Sequence, residues 1–182
     1  MPDAAVAAHA PRGHRPVRSC RLRAGTTRPR CAAGLCAHPC ESLIFIFGGS
    51  YAAGWLVYGT LAPPYLLGHL PLPAALYGVL VWPFIWGLTE QMTYNGYLLP
   101  RFQVLCRSTS VAIAVVAFVW SMQHAFMPLT FDAKFMAYRL LAPVPFSVFQ
   151  TLLYLRLRRV VPLAIAHALM DGATVLIPLL RA

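Results

Sequence analysis

Between Leu43 and Leu180 the chain runs through five long apolar stretches joined by short connections that carry its prolines and most of its remaining arginines. A helix needs about 20 apolar residues to cross the ~30 Å hydrocarbon layer of a bilayer, and these stretches have that length. The chain is 59% hydrophobic and 11% charged, whereas a soluble domain carries about 25% charged residues. Lipid must therefore meet much of this surface. Within lipid every backbone polar group has to be satisfied internally, which favours helices. The expected fold is all-α, a polytopic transmembrane helix bundle of about five spans. Those spans are read as Leu43–Leu61, Ala74–Leu99, Thr109–Met127, Met136–Leu155 and Val160–Leu180. Gly48, Gly49 and Gly54 suit close helix packing in the first, and Pro143 and Pro145 bend or begin the fourth.

Residues 1–40 differ in kind, being rich in Arg, Pro, Ala, Gly and Cys and almost free of large aliphatic side chains. Such a segment cannot bury enough apolar surface to offset ordering. It is read as a disordered basic arm, or as the product of a mis-assigned start, ahead of a membrane domain over 41–182. Cys20, Cys31, Cys36, Cys40 and His38 lack the paired Cys-x-x-Cys knuckles of a zinc site. Cys106, in a basic connection, reads as a free interfacial thiol. The net charge of +10 does not form a nucleic-acid face: seven of the fifteen basic residues precede Pro39 and most others fall between spans. That is the pattern of positive-inside topology. Arg101, Arg107, Arg156, Arg158 and Arg159 share a side with the arm, against Lys134, Arg139 and Arg181 opposite. The expected location is the plasma membrane, with the N-terminus cytoplasmic.

Ionisable groups inside the spans are costly and mark function by default. Glu90 continues an apolar helix, and Tyr94 and Tyr97 at i+4 and i+7 are expected to extend its polar stripe. His124 lies on the third span; His167 and Asp171, at i and i+4, share a face of the fifth. At 1.5 Å per residue these groups lie about 15, 22, 10 and 17 Å from the cytoplasmic helix ends, so one cavity can hold all four.

Glu90-Gln91-x-x-x-Asn95-Gly96, Trp120-x-x-x-His124 and His167-x-x-x-Asp171, in that order, resemble the three motifs of the CPBP family. That family of intramembrane proteases includes the type II CAAX prenyl endopeptidases and the Abi and bacteriocin-immunity proteins. Its pattern is Glu-Glu-x-x-x-Arg, Phe-x-x-x-His and His-x-x-x-Asn/Asp. The resemblance covers about Leu76–Leu180 and implies a Glu-activated water at Glu90, with His124, His167 and Asp171 as further catalytic groups. Gln91, Tyr94, Asn95 and Trp120 are its expected supporting groups. Gln91 replaces the second Glu, Asn95 the Arg and Trp120 the Phe. Since Gln91 and Asn95 are i and i+4, the lost ion pair has a neutral replacement in an amide–amide hydrogen bond.

The reading that follows is an intramembrane endopeptidase hydrolysing a peptide bond in a membrane-embedded cavity. The alternative is a non-catalytic membrane immunity or interaction protein that retains the fold. Zinc held by Glu90, His124 and His167 is the older mechanism for such a motif set; no His-Glu-x-x-His pair supports it, and no cofactor is expected. Expected partners are the lipid bilayer and a peptide or protein substrate, lipidated or not, and no nucleic acid; oligomeric state is not written in the sequence. Reporter fusions after Ala182 and within residues 63–71 should both read non-cytoplasmic. A cytoplasmic signal at Ala182 would remove the five-span arrangement.

Overall fold

The computed structural model describes residues 30–61, 70–127 and 130–180, with the backbone alone described for 30–39 and 178. All regular structure among them is helical. The chain forms α1 (Arg30–Tyr58), α2 (Leu72–Leu80), α3 (Trp82–Glu90), a π-helical segment (Gln91–Leu98), α4 (Leu99–Cys106), α5 (Thr109–Phe126), α6 (Ala133–Leu141), α7 (Val144–Leu157) and α8 (Val160–Leu179). Five helical stretches among the described residues are long and apolar enough to cross a membrane: Cys40–Tyr58, Leu72–Cys106, Thr109–Phe126, Ala133–Leu157 and Val160–Ile177. This is the expected all-helical membrane bundle.

Boundaries follow local chemistry. Pro83 has no N–H to offer the preceding turn, so α2 ends at Leu80 and the chain restarts at Trp82 through Val81 (φ −115°, ψ −56°). Pro143 and Pro145 separate α6 from α7 in the same way, so the fourth span is bent as expected. Ser108 caps α5 by accepting from the Val111 N–H, and Asp132 caps α6 by accepting from Lys134 and Phe135. Arg107 and Arg158 end α4 and α7 in the left-handed region, at φ 51° and 53°.

Several boundaries differ from the sequence reading. The α1 backbone reaches back to Arg30, into the end of the stretch read as the arm. Residues 1–29, including Cys20, lie outside the described residues, as does the Pro63-Pro64 turn. The side chains of Cys31, Cys36 and His38 lie outside them too, while Cys40 and Cys106 are free thiols. The second span begins at Leu72 and continues past Pro100 to Cys106. Pro100 is the second residue of α4, where i→i+5 bonding gives way to i→i+4 bonding and a missing N–H costs least. Arg139 belongs to no connection: it lies within α6 and donates to the carbonyls of His124 (3.2 Å) and Met127 (2.8 Å) at the end of α5. It therefore caps the end of α5 as well as adding a charge to that end of the bundle.

The bundle is apolar without and carries a cluster of polar groups within its largely apolar core. Ile44, Trp55, Leu56, Leu80, Phe84 and Val104 are exposed. Glu90, Gln91, Asn95, Ser121, Gln150, Thr151, His167 and Asp171 are buried. Lipid supplies the apolar solvent that makes this distribution favourable, since polar groups find hydrogen-bond partners only among neighbouring helices. Helix α3 lies against α8, and α1 against α6, α7 and α8. A central cluster of Tyr94, Leu99, Val116, Trp120, Phe146 and Met170 joins the π-helical segment to α5, α7 and α8.

Among the described residues, Gly87 and Gly49 allow close helix approaches. A Cβ on Gly87 would come within 3.0 Å of the Ala168 nitrogen and 3.1 Å of the Ala164 carbonyl oxygen, both backbone atoms of α8. A Cβ on Gly49 would overlap the Ala142 carbonyl oxygen, whereas one on Gly48 meets nothing. Of that adjacent pair only Gly49 serves packing. Gly49→Ala and Gly87→Ala should each destabilise the purified protein by about 1–3 kcal/mol, the cost of overpacking. Gly48→Ala should be neutral or stabilising by up to about 1 kcal/mol, because alanine favours the helix. Equilibrium unfolding in detergent checks both; equal effects at Gly48 and Gly49 would contradict this packing.

Candidate functional site

Glu90 is the last residue of α3, where α-helical bonding gives way to the π-helical segment. Its carboxylate is buried at 4% exposure, and it is surrounded by donors. Trp120 Nε1 donates to Oε2 at 2.7 Å, and Gln123 Nε2 donates to Oε1. Gln123 in turn accepts from the Tyr94 hydroxyl. These donors come from α5 because Trp120 and Gln123 are i and i+3 on its inward face. Trp120 is fixed by its own packing, stacked on Tyr94 at 4.9 Å and edge-on to Phe146 at 6.0 Å.

From α8, His167 Nε2 approaches Glu90 Oε2 at 3.5 Å and Asp171 Oδ2 at 3.6 Å. The imidazole is enclosed by Phe146, with centroids 4.9 Å apart, and by Trp120, at 5.7 Å. On its far side His167 Nδ1 lies 3.3 Å from Gln91 Nε2, and Gln91 Oε1 accepts from Asn95 Nδ2 at 2.7 Å. The amide pair expected from the sequence is thus formed, and it bears on His167. His124 Nδ1 lies 3.0 Å from the Trp120 carbonyl, which can only accept, so Nδ1 carries the proton and Nε2 is an acceptor.

A cavity of about 450 Å³ opens beside these groups, with His124, His167, Asp171, Arg139, Trp82 and Trp86 among its lining. Glu90 is not part of its lining and meets it through His167, 3.5 Å away. The α3, α5 and α8 elements therefore bring the four predicted groups together, with His124, His167 and Asp171 at the cavity and Glu90 beside His167. Among the described residues no set of three His, Cys, Asp or Glu side chains is arranged to hold a metal ion.

Tyr97 departs from the expected stripe. It is 54% exposed, while Tyr94 is buried. The i→i+5 bonding of the π-helical segment advances each residue by a smaller angle, so position i+7 swings away from Glu90. Tyr97 instead carries Arg101 over its ring, 3.4 Å from the guanidinium carbon to the centroid. Gln123 was missed. Its signal was available, since i+3 from Trp120 places it on the same face, but an amide beside a more conspicuous histidine attracts no reading by itself.

Gln123 bridges Tyr94 and Glu90, so its loss leaves a buried acceptor and a buried hydroxyl short of a partner. Gln123→Leu should destabilise the protein by about 1–3 kcal/mol. Combined with Tyr94→Phe it should cost less than the sum, because the second change removes a group already stranded. A double-mutant cycle on detergent unfolding checks this; strict additivity would show that the two do not interact.

With this geometry established, the family comparison is specific. The family model described as type II CAAX prenyl endopeptidase Rce1-like matches residues 72–173. That range runs from the start of α2 into α8 and includes every group named above. No curated protein and no solved structure matches the chain.

Proposed function

The chain belongs to the type II CAAX prenyl endopeptidase Rce1-like family, and on that premise we propose that it is an intramembrane endopeptidase working by a Glu90-activated water. The observation that carries this reading is the approach of His167 Nε2 to carboxyl oxygens of both Glu90 and Asp171 at the edge of a cavity also lined by His124. A carboxylate offers about four acceptor sites. Trp120 and Gln123 occupy one on each oxygen and orient the group, leaving others for a water entering from the cavity.

In the proposed reaction Glu90 takes a proton from that water as its oxygen attacks the carbonyl carbon of the scissile peptide. His124, through its unprotonated Nε2, orients the water. The oxyanion of the tetrahedral intermediate accepts from His167 Nε2–H, and from Asp171 when its carboxyl is protonated. Collapse breaks the C–N bond while Glu90 returns its proton to the leaving amine, yielding one carboxylic acid and one amine. No cofactor enters this scheme. The lack of a His-Glu-x-x-His pair supports a metal-free site over a zinc site built on Glu90, His124 and His167.

The substrate is a peptide or protein segment reached from the bilayer, CAAX-protease-like in class. The proposed location is the plasma membrane, and the arginine distribution supports an N-terminus on the cytoplasmic side.

Glu90→Gln keeps the shape and removes the base, so cleavage of a farnesylated CAAX-type peptide in proteoliposomes should fall about 100- to 10,000-fold. His124→Ala and His167→Ala should be comparably damaging. Asp171→Asn should be tolerated, because the family motif that this chain resembles accepts Asn there. Chelators should leave turnover unchanged. A cellular phenotype that survives Glu90→Gln would favour the non-catalytic immunity or interaction role instead.

A further inference from the structure

Gln91 and Asn95 are both fully buried, at 0% exposure, and their amides form a chain that ends on His167. Asn95 Nδ2 donates to Gln91 Oε1 at 2.7 Å, which turns Gln91 Nε2 toward His167 Nδ1 at 3.3 Å. An amide nitrogen only donates, so Nδ1 must accept, and the proton of the neutral imidazole is carried on Nε2. The other edge of the ring leads to the same tautomer independently. Nε2 faces Glu90 Oε2 at 3.5 Å and Asp171 Oδ2 at 3.6 Å. A bare lone pair there would oppose two carboxyl oxygens, whereas an N–H is attracted to both.

We propose that Gln91, oriented by Asn95, is a positioning residue that sets His167 as the Nε2–H tautomer and so presents a preformed donor where Glu90 and Asp171 converge. The use of that donor in catalysis rests on the hydrolase reading above; the tautomer itself is a property of the resting protein. Both residues are departures from the motif that the chain otherwise resembles. A carboxylate at position 91 could only accept and would require the proton on Nδ1. The neutral pair therefore does more than replace an ion pair with a hydrogen bond of similar reach: it selects which ring nitrogen holds the proton. The ring is otherwise held by Phe146 and Trp120, which enclose it but cannot choose between tautomers.

Two nearly isosteric changes test the relay at successive links. Gln91→Glu replaces the donor facing Nδ1 with an acceptor. Asn95→Asp acts one step further away: the carboxylate accepts from Gln91 Nε2, rotating that amide so that Oε1 meets Nδ1. The measurement is 15N NMR of full-length protein labelled at histidine nitrogens, in lipid nanodiscs, with His167 assigned by the ring signals lost in His167→Asn. Wild type should show Nδ1 bare and Nε2 protonated, and in both variants Nδ1 should become protonated. The kcat for peptide cleavage should fall about 100-fold in each, the scale of losing one oxyanion donor, with KM unchanged. A merely structural role for Asn95 would lower stability without moving the proton.

Wild-type His167 protonated on Nδ1, or Nδ1 still bare in both variants, would overturn the relay. A wild-type spectrum with the proton on Nδ1 overturns the relay even if a variant fails to fold, and Nε2–H in the wild type supports it only together with the shift in a folded variant. Because the ring signals are read whether or not peptide is cleaved, an inactive wild type with Nε2–H would sink the hydrolase reading and leave the relay standing. Cleavage by a wild type with Nδ1–H would do the reverse.

Discussion

A carboxylate at 4% exposure in a lipid-facing bundle must be surrounded by donors, and much of the interior is arranged around that requirement at Glu90. An uncompensated charge there would cost several kcal/mol, comparable with the whole stability of a typical domain. Trp120 and Gln123 on α5 supply direct hydrogen bonds, and His167 on α8 faces the same carboxylate. Each of those donors is fixed in turn by packing or by another hydrogen bond. Trp120 stacks on Tyr94, Gln123 accepts from Tyr94, and His167 is bracketed by Phe146 and Gln91. The π-helical segment matters here because it begins immediately after Glu90 and turns Gln91, Tyr94 and Asn95 inward.

The helix approaches serve the same end. Gly87 lets α3 meet the α8 backbone at Ala164 and Ala168, one position from His167. Without that approach the His167 ring could not lie 3.5 Å from a carboxylate on α3. Arg139 closes the other end of the site by donating to the carbonyls of His124 and Met127, groups that the end of α5 would leave unsatisfied. It thus holds the His124 backbone while facing the cavity itself. Fold and site are not separable layers in this protein; the polar groups that distinguish the site also join helices whose outer faces are given to lipid.

Family membership and site geometry bear on different questions. The family match covers the span from α2 into α8 and makes this a member of a protease family. The geometry adds what is particular to this chain: a neutral amide pair where the motif carries charges, a tryptophan N–H on the general-base candidate, and that carboxylate set outside the cavity lining. The cavity lining nearest to Glu90 includes His167, whose ring lies 3.5 Å from the carboxylate.

Sequence alone determined the membrane character, the number of spans and the four ionisable groups, because the physics behind them is local or nearly so. Span length follows from bilayer thickness, helix breaks follow from proline, and a charge in an apolar run stands out against its surroundings. Even the Gln91–Asn95 hydrogen bond was legible from their spacing. Tertiary structure decided what those groups face. The π-helical phase that exposes Tyr97 accompanies the long-range packing of Tyr94 against Trp120, and no local pattern encodes that contact. Gln123 became visible as a partner of Glu90 only once α5 lay against the π-helical segment, and Arg139, placed by the sequence on one side of the membrane, also caps another helix. The choice between Gly48 and Gly49 rested on a carbonyl oxygen more than ninety residues away in the chain, at Ala142. Residue type and spacing specify which groups a helix face carries; only the packing of helices distant in sequence specifies which groups meet.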